Sequence, residues 1–222
     1  MASIVVIDYG MGNLRSVSKA LESLGASVRV SGKPEEVGRA EKLILPGVGA
    51  FPAAMRELTA RKLIEPIKAA IAKETPYLGI CLGLQLLFET SEEGEGGRGL
   101  GVLPGTVRRF ATNGSGLKVS HMGWNQISSP EPPRPDPACR GGRAPSPEPR
   151  CPLLNGIPEG SFVYFVHSYY AEPTDPSVTA LTTDYGGPFA SMVWRGNLYA
   201  TQFHPEKSQA VGLRFLKNFV EL

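Results

Sequence analysis

The sequence predicts an α/β protein with a mainly parallel central sheet flanked by helices and additional antiparallel strands in the second half. Three observations carry that prediction. Short β-branched runs alternate with helical periodicity through the first part of the chain, the order that builds a parallel sheet covered by helices. From Leu100 onward the texture becomes a series of strand-like segments. The chain has 222 residues, 41% of them hydrophobic, enough to bury a substantial core.

Taken in order, Ile4 to Ile7 is a β-branched strand, followed by a Gly-rich turn. Leu14, Val17, Leu21 and Leu24 then recur at helical spacing, with Gly25 placed to end the helix. Ser27 to Val30 is a second strand and Lys42 to Leu45 a third. Leu63 to Ala72 reads as helix, and Tyr77 to Ile80 as a fourth strand running into a helix over Leu82 to Glu89. Phe162 to His167, Val178 to Thr182, Phe189 to Trp194 and Leu198 to Phe203 are strand-like. Val211, Phe215, Leu216 and Phe219 mark a closing amphipathic helix. Residues 1–222 are expected to form one domain. The prolines crowded between Pro130 and Pro152 break any helix or ladder, so that stretch is expected to be an exposed, poorly ordered inserted loop, and Cys139 and Cys151 within it are weak functional candidates.

The 23 basic and 21 acidic side chains leave a net charge of +2, which argues against nucleic acid or an anionic membrane as partner and leaves small-molecule chemistry open. No apolar run approaches the roughly 20 residues that span a bilayer, and Met1 to Asp8 lacks the features of a signal peptide. The expected location is therefore cytoplasmic. Three cysteines without paired ligand spacing indicate neither a disulfide framework nor a zinc site. Three scattered histidines and no carboxylate cluster give no ligand set, so no metal and no cofactor are expected.

The chemistry concentrates in three segments. Gly79-Ile80-Cys81-Leu82-Gly83 lies where a strand meets a helix, a sharp turn on which a nucleophile projects above the sheet edge. The helix that follows would favour a thiolate; taken alone, a buried structural cysteine fits Cys81 equally well. A thiolate needs a proton-transfer partner, and His204 is followed two residues later by Glu206. In an extended segment these side chains share one side, so the carboxylate can fix the imidazole tautomer and stabilise its charged form. His121 and His167 read instead as surface or core residues that hydrogen-bond and do nothing more. Pro46-Gly47-Val48-Gly49 follows a strand, and its glycines let backbone N–H groups turn into a cavity. Val48 and Leu82 are the candidate oxyanion donors, although a plain turn would explain the same glycines.

In that order, Pro46-Gly47-Val48-Gly49, Gly79-Ile80-Cys81-Leu82-Gly83-Leu84-Gln85 and His204-Pro205-Glu206 resemble the class I, or triad, glutamine amidotransferases. Asp8-Tyr9-Gly10-Met11-Gly12-Asn13-Leu14, His121-Met122-Gly123-Trp124-Asn125 and Tyr164-Phe165-Val166-His167-Ser168-Tyr169 are similar to the glutaminase subunits of imidazole glycerol phosphate synthases in histidine biosynthesis. The resemblance covers nearly the whole chain except the Pro-rich insertion. It implies a class I glutamine amidotransferase-like fold and hydrolysis of glutamine to glutamate and ammonia. Cys81 would form a γ-glutamyl thioester, His204 would shuttle protons and Glu206 would orient it. It further implies that Gly49, Gln85, Glu93, Ser168 and Tyr169 line the glutamine pocket. Asn13, Met122, Trp124, Tyr164 and Lys207 would lie near the docking face for a separate (β/α)₈-barrel cyclase, in a heterodimer. The delivered ammonia would serve formation of imidazole glycerol phosphate and AICAR.

Three other readings share parts of this pattern. The chain could feed a pyridoxal phosphate, anthranilate or aminodeoxychorismate synthase, which use the same triad; the Asp8 to Leu14 and His121 to Asn125 segments favour the histidine pathway. A γ-glutamyl hydrolase would work alone on a larger substrate. An inactive interaction subunit would keep the fold without the chemistry.

Overall fold

The computed structural model describes residues 3–111, 118–130 and 150–222. Ser3–Ile7 (β1), Ser27–Ser31 (β2), Lys42–Gly47 (β3) and Tyr77–Cys81 (β4) are the early strands, with Leu14–Ser23 (α1), Pro34–Val37 (α2), Phe51–Ala60 (α3) and Ile64–Ala72 (α4) between them. Leu82–Gln85 (α5) follows β4 directly. Then come Phe88–Ser91 (β5), Gly97–Arg98 (β6), Leu103–Arg109 (β7), His121–Gln126 (β8), Phe162–His167 (β9), Tyr169–Pro173 (β10), Thr179–Asp184 (β11), Pro188–Arg195 (β12) and Leu198–Thr201 (β13). Gln209–Glu221 (α6) closes the chain.

The main sheet has seven strands in the order β11-β12-β13-β4-β3-β1-β2. Its β13-β4-β3-β1-β2 portion is parallel, and β11 and β12 add an antiparallel edge. The expected mainly parallel sheet with antiparallel additions is therefore present. Alternation decides its core: Ile4 and Val6 pack into one apolar cluster with Val17, Leu21 and Phe215, whereas Val5 and Ile7 pack into another with Leu58 and Ile67. Both faces of β1 are covered, which is why the strand is a continuous apolar run and not an alternating one. Phe215, Leu216 and Phe219 anchor α6 in that first cluster, each contributing roughly 1.5–3 kcal/mol by burial. Lys42 Nζ donates to the Phe219 and Val220 carbonyls at 3.1 and 2.7 Å, satisfying the end of the helix.

Several expectations are corrected. The helix after Cys81 is a single turn, Leu82–Gln85, and Phe88–Ser91 is strand: Phe88 is needed in the small β10-β7-β5-β6 sheet, where it pairs with Leu103. The macrodipole argument for a thiolate weakens accordingly, because a four-residue helix sums few peptide dipoles. Helix α3 had no counterpart in the sequence reading. Most of the Pro-rich stretch, with Cys139, lies outside the described residues. Cys151 at its far end is no loop thiol: it is buried against Leu153 and Leu154 at the start of a 3₁₀ turn, and burial pushes its pKa up to about 12.

Candidate active site

Cys81 ends β4 with φ 55° and ψ −107°, a left-handed conformation that costs a non-glycine residue about 1–3 kcal/mol. The flanking glycines make the turn possible. A Cβ on Gly83 would come within 1.9 Å of the Leu45 carbonyl oxygen, and one on Gly79 within 2.6 Å of the Gly83 carbonyl oxygen. The chain thus folds back on itself and on β3 too tightly for any side chain at either position. Register places Gly47 of β3 opposite Cys81. Gly47 is also sealed from below, because a Cβ there would meet Leu82 Cβ and the Tyr9 hydroxyl at 2.7 Å. Val48, next along, is 40% exposed, and Gly49 has φ 104°.

His204 follows β13, the parallel neighbour of β4, so adjacent strands deliver the thiol and the imidazole to the same sheet edge. His204 Nδ1 lies 2.8 Å from Glu206 Oε1. The backbone differs from expectation: Pro205–Lys207 is a 3₁₀ turn and not an extended segment, yet the contact expected between the two side chains forms. Burial pulls the His204 pKa down, but the Cys81 sulfur and the Glu206 carboxylate outweigh it and raise the pKa to about 10. The site therefore favours an imidazolium beside the sulfur across the neutral range. His204 Nε2 and Glu206 Oε2 are buried without a hydrogen-bond partner.

Behind Cys81, His204 and Glu206 stand residues that the sequence leaves unassigned. Ser208 Oγ donates to the His204 carbonyl at 2.7 Å and accepts from the Tyr164 amide at 3.0 Å. Gln202 is fully buried with Nε2 3.5 Å from Cys81 Sγ. Its position two residues before His204 was a signal of proximity that period-two reasoning could have used.

The other predicted site residues are distributed as follows. Gln85 Nε2 is already engaged by the Tyr169 carbonyl at 2.9 Å and Gln202 Oε1 at 3.0 Å, so it is no free donor. Glu93 Oε2 accepts from the Phe51 amide at 2.8 Å at the start of α3, close in sequence to Gly49. Ser168 Oγ is 2.6 Å from Ser120 Oγ. His121 and His167 are buried and hydrogen-bonded to each other at 2.9 Å, as the reading of them as hydrogen-bonding residues anticipated.

Strands β8 and β9 form a separate two-stranded ribbon in which Trp124 pairs with Tyr164 and Met122 with Val166. One face, carrying His121, Phe165 and His167, is buried. The other leaves Met122 67%, Trp124 45% and Phe162 53% exposed. Lys207 Nζ sits 5.7 Å from the centre of the Tyr164 ring, whose edge meets Trp124. Asn13 caps α1 through Ser16, and α1 packs on the turn that holds Lys207. Among the described residues no helix is long and apolar enough to cross a membrane, and no group of three or more metal-ligating side chains converges.

The family model for glutamine amidotransferase class I matches residues 5–222. The chain is 52% identical to imidazole glycerol phosphate synthase subunit HisH of Syntrophotalea carbinolica over 99% of this chain and 100% of that protein. It is 50% identical to the HisH subunit of Moorella thermoacetica over 100% of this chain and 96% of that one. A solved structure described as a glutamine amidotransferase superposes with TM-score 0.70 at 18% identity, covering 98% of this chain and 99% of the other. PurLQS from Thermotoga maritima gives 0.68 at 19% identity over 100% and 97%. At those identities the two structures speak for the fold alone.

Proposed function

The chain belongs to the class I glutamine amidotransferase family, and from that premise we propose that it is the glutaminase subunit of an imidazole glycerol phosphate synthase in histidine biosynthesis. The observation that carries this reading is the convergence of a nucleophile elbow at Cys81 with the buried His204–Glu206 pair at one edge of the parallel sheet. In the proposed reaction the Cys81 sulfur attacks the side-chain amide carbon of glutamine. The N–H groups of Val48 and Leu82 receive the oxyanion, and His204 gives its proton to the departing nitrogen. The γ-glutamyl thioester that remains is attacked by water, with His204 taking the proton and glutamate leaving. Glu206 keeps the imidazole oriented and stabilises its charge through both steps.

Gly47 opposite Cys81 and the left-handed φ of Gly49 support Val48 as a donor, since they bring the end of β3 over the elbow. Gly49, Gln85, Glu93, Ser168 and Tyr169 form the proposed glutamine pocket, Gln85 chiefly by holding the Tyr169 backbone. Ammonia is the nucleophile needed downstream, and in water at neutral pH it is protonated and inert. Delivery to a docked cyclase of (β/α)₈-barrel form, in a heterodimer, solves that problem. Asn13, Met122, Trp124, Tyr164 and Lys207 are the proposed docking residues, and the exposed apolar ribbon supports the assignment because isolated soluble chains seldom leave such a strip uncovered.

The test is glutamate formation from glutamine by the purified chain, alone and with the cyclase subunit plus its nucleotide ligand. Strong stimulation by that subunit is the expected result. Substantial unstimulated turnover would keep the triad and overturn the partner, and no turnover in either condition would overturn the reading.

A further inference from the structure

The hydrogen-bond directions around Gln202 are fixed by one backbone carbonyl. Tyr169 O can only accept, so His167 Nδ1, 2.8 Å away, carries a proton. Burial keeps His167 neutral, drawing its pKa down to about 3, so its Nε2 is an acceptor. His121 Nδ1, 2.9 Å from that nitrogen, must then be the donor. Burial likewise lowers His121 to about 4, and its Nε2 accepts from Asn125 Nδ2 at 3.2 Å. The Asn125 amide is oriented consistently: Nδ2 also donates to the Asp184 carbonyl at 2.9 Å, and Oδ1 accepts from the Gln126 amide at 2.8 Å. From the opposite side, Gln85 Nε2 donates both to Tyr169 O and to Gln202 Oε1. With its oxygen so occupied, Gln202 has to present its N–H group to Cys81 Sγ.

We propose that Gln202 is a catalytic hydrogen-bond donor to the Cys81 sulfur, and that Gln85, oriented by the Tyr169 carbonyl, is the positioning group that fixes which end of its amide faces the nucleophile. The proposal rests on the reading of Cys81 as the nucleophile. A donor to sulfur stabilises the thiolate over the thiol and loses most of that interaction once the thioester carries no charge. The other titratable groups facing Cys81 are His204, backed by Glu206, and Tyr9, whose hydroxyl is driven up first by burial and then by the sulfur. Of these, His204 shares the stabilisation of the thiolate. Gln202 differs in carrying no proton to give away, so its effect persists through the pH range in which His204 titrates. The outer end of the chain, Asn125, lies on the same ribbon strand as Trp124.

The experiment is the pH dependence of Cys81 alkylation by iodoacetamide in the full chain, followed on the Cys81 peptide by mass spectrometry. In Gln202→Met, close in volume but without a donor, the midpoint is expected to rise by roughly one pH unit or more. In Gln202→Glu, which keeps the acceptor for Gln85 but turns an oxygen on the sulfur, the rise is expected to be larger. An unmoved midpoint in Gln202→Met would overturn the donor role. Should both variants fail to fold, ¹H–¹⁵N NMR of wild-type protein labelled at the glutamine side chains decides the matter: a Gln202 side-chain N–H whose shift follows the thiol–thiolate change of Cys81 is expected, and one that does not move with it would overturn the donor role. Neither readout uses glutamine as substrate. Hydrolysis that survived Cys81→Ala would instead remove the nucleophile assignment itself.

Discussion

His204 Nδ1 and Glu206 Oε1 lie 2.8 Å apart with side chains only 2% and 1% exposed, so the carboxylate meets almost no water and its charge acts on the imidazole nearly unscreened. Glu206→Gln keeps the volume but removes that charge, so glutamine turnover is expected to fall by about 10²-fold or more. Steady-state glutamate formation, with the cyclase present, measures it. Turnover within a few-fold of wild type would show that Glu206 neither orients nor charges His204.

The same pair sets a stability window on the alkaline side. The folded-state pKa of His204, raised to about 10, lies above the unfolded value near 6.5. Its contribution is fully present below about pH 6.5 and is lost as pH rises through about 10. Thermal unfolding from pH 6 to 10 should show a declining Tm, with a flatter profile in Glu206→Gln.

His121 and His167 impose the opposite dependence. Their folded pKa values, lowered to about 4 and about 3 by burial, lie below the unfolded value, so their contribution is complete above about pH 6.5 and is lost as pH falls through those values. Denaturant midpoints measured between pH 7 and 4 should fall before most surface carboxylates protonate. A constant midpoint over that range would contradict the buried neutral pair.

Ser208 bridges the turn that carries His204 and Glu206 to the ribbon through the His204 carbonyl and the Tyr164 amide. Ser208→Ala leaves the Tyr164 amide unpaired, while the His204 carbonyl keeps the Lys207 amide at 3.0 Å, and a loss of about 1–3 kcal/mol is expected from urea unfolding. Glutamine turnover should drop as well, since the turn carrying His204 loses one of its two links to Tyr164 and keeps only the His204 amide to Tyr164 carbonyl bond at 2.9 Å.

Trp124 is half exposed on the ribbon face that carries the proposed docking residues. Trp124→Ala is expected to change the stability of the isolated chain by less than about 0.5 kcal/mol. It should weaken cyclase binding by about 2 kcal/mol, near thirtyfold in Kd, by titration calorimetry. Wild-type affinity in this variant would move the docking face elsewhere.

How much of this was legible in the sequence differs by element. The strands β1 to β4, helix α1 and the closing helix α6 follow from periodicity, because their side chains report on immediate neighbours along the chain. The elbow was legible for a related reason: Gly79 and Gly83 are the only residues that fit a turn whose crowding comes from adjacent backbone and from β3. Phe88 misled the helix assignment, since its place in the small sheet depends on pairing with Leu103, a contact that no local pattern encodes. The order of side chains around Cys81 was likewise decided only in three dimensions. Sequence alone determined that a cysteine on a strained turn, a His-Pro-Glu segment and a Gly-rich strand end occur together. The tertiary structure decided that β13 lies beside β4, that Glu206 reaches His204 through a 3₁₀ turn, and that the buried Gln202 amide, held by Gln85, ends on the sulfur. Strand order and hydrogen-bond direction are properties of residues that meet across the sheet, and those are settled by which packing satisfies every buried polar group at once.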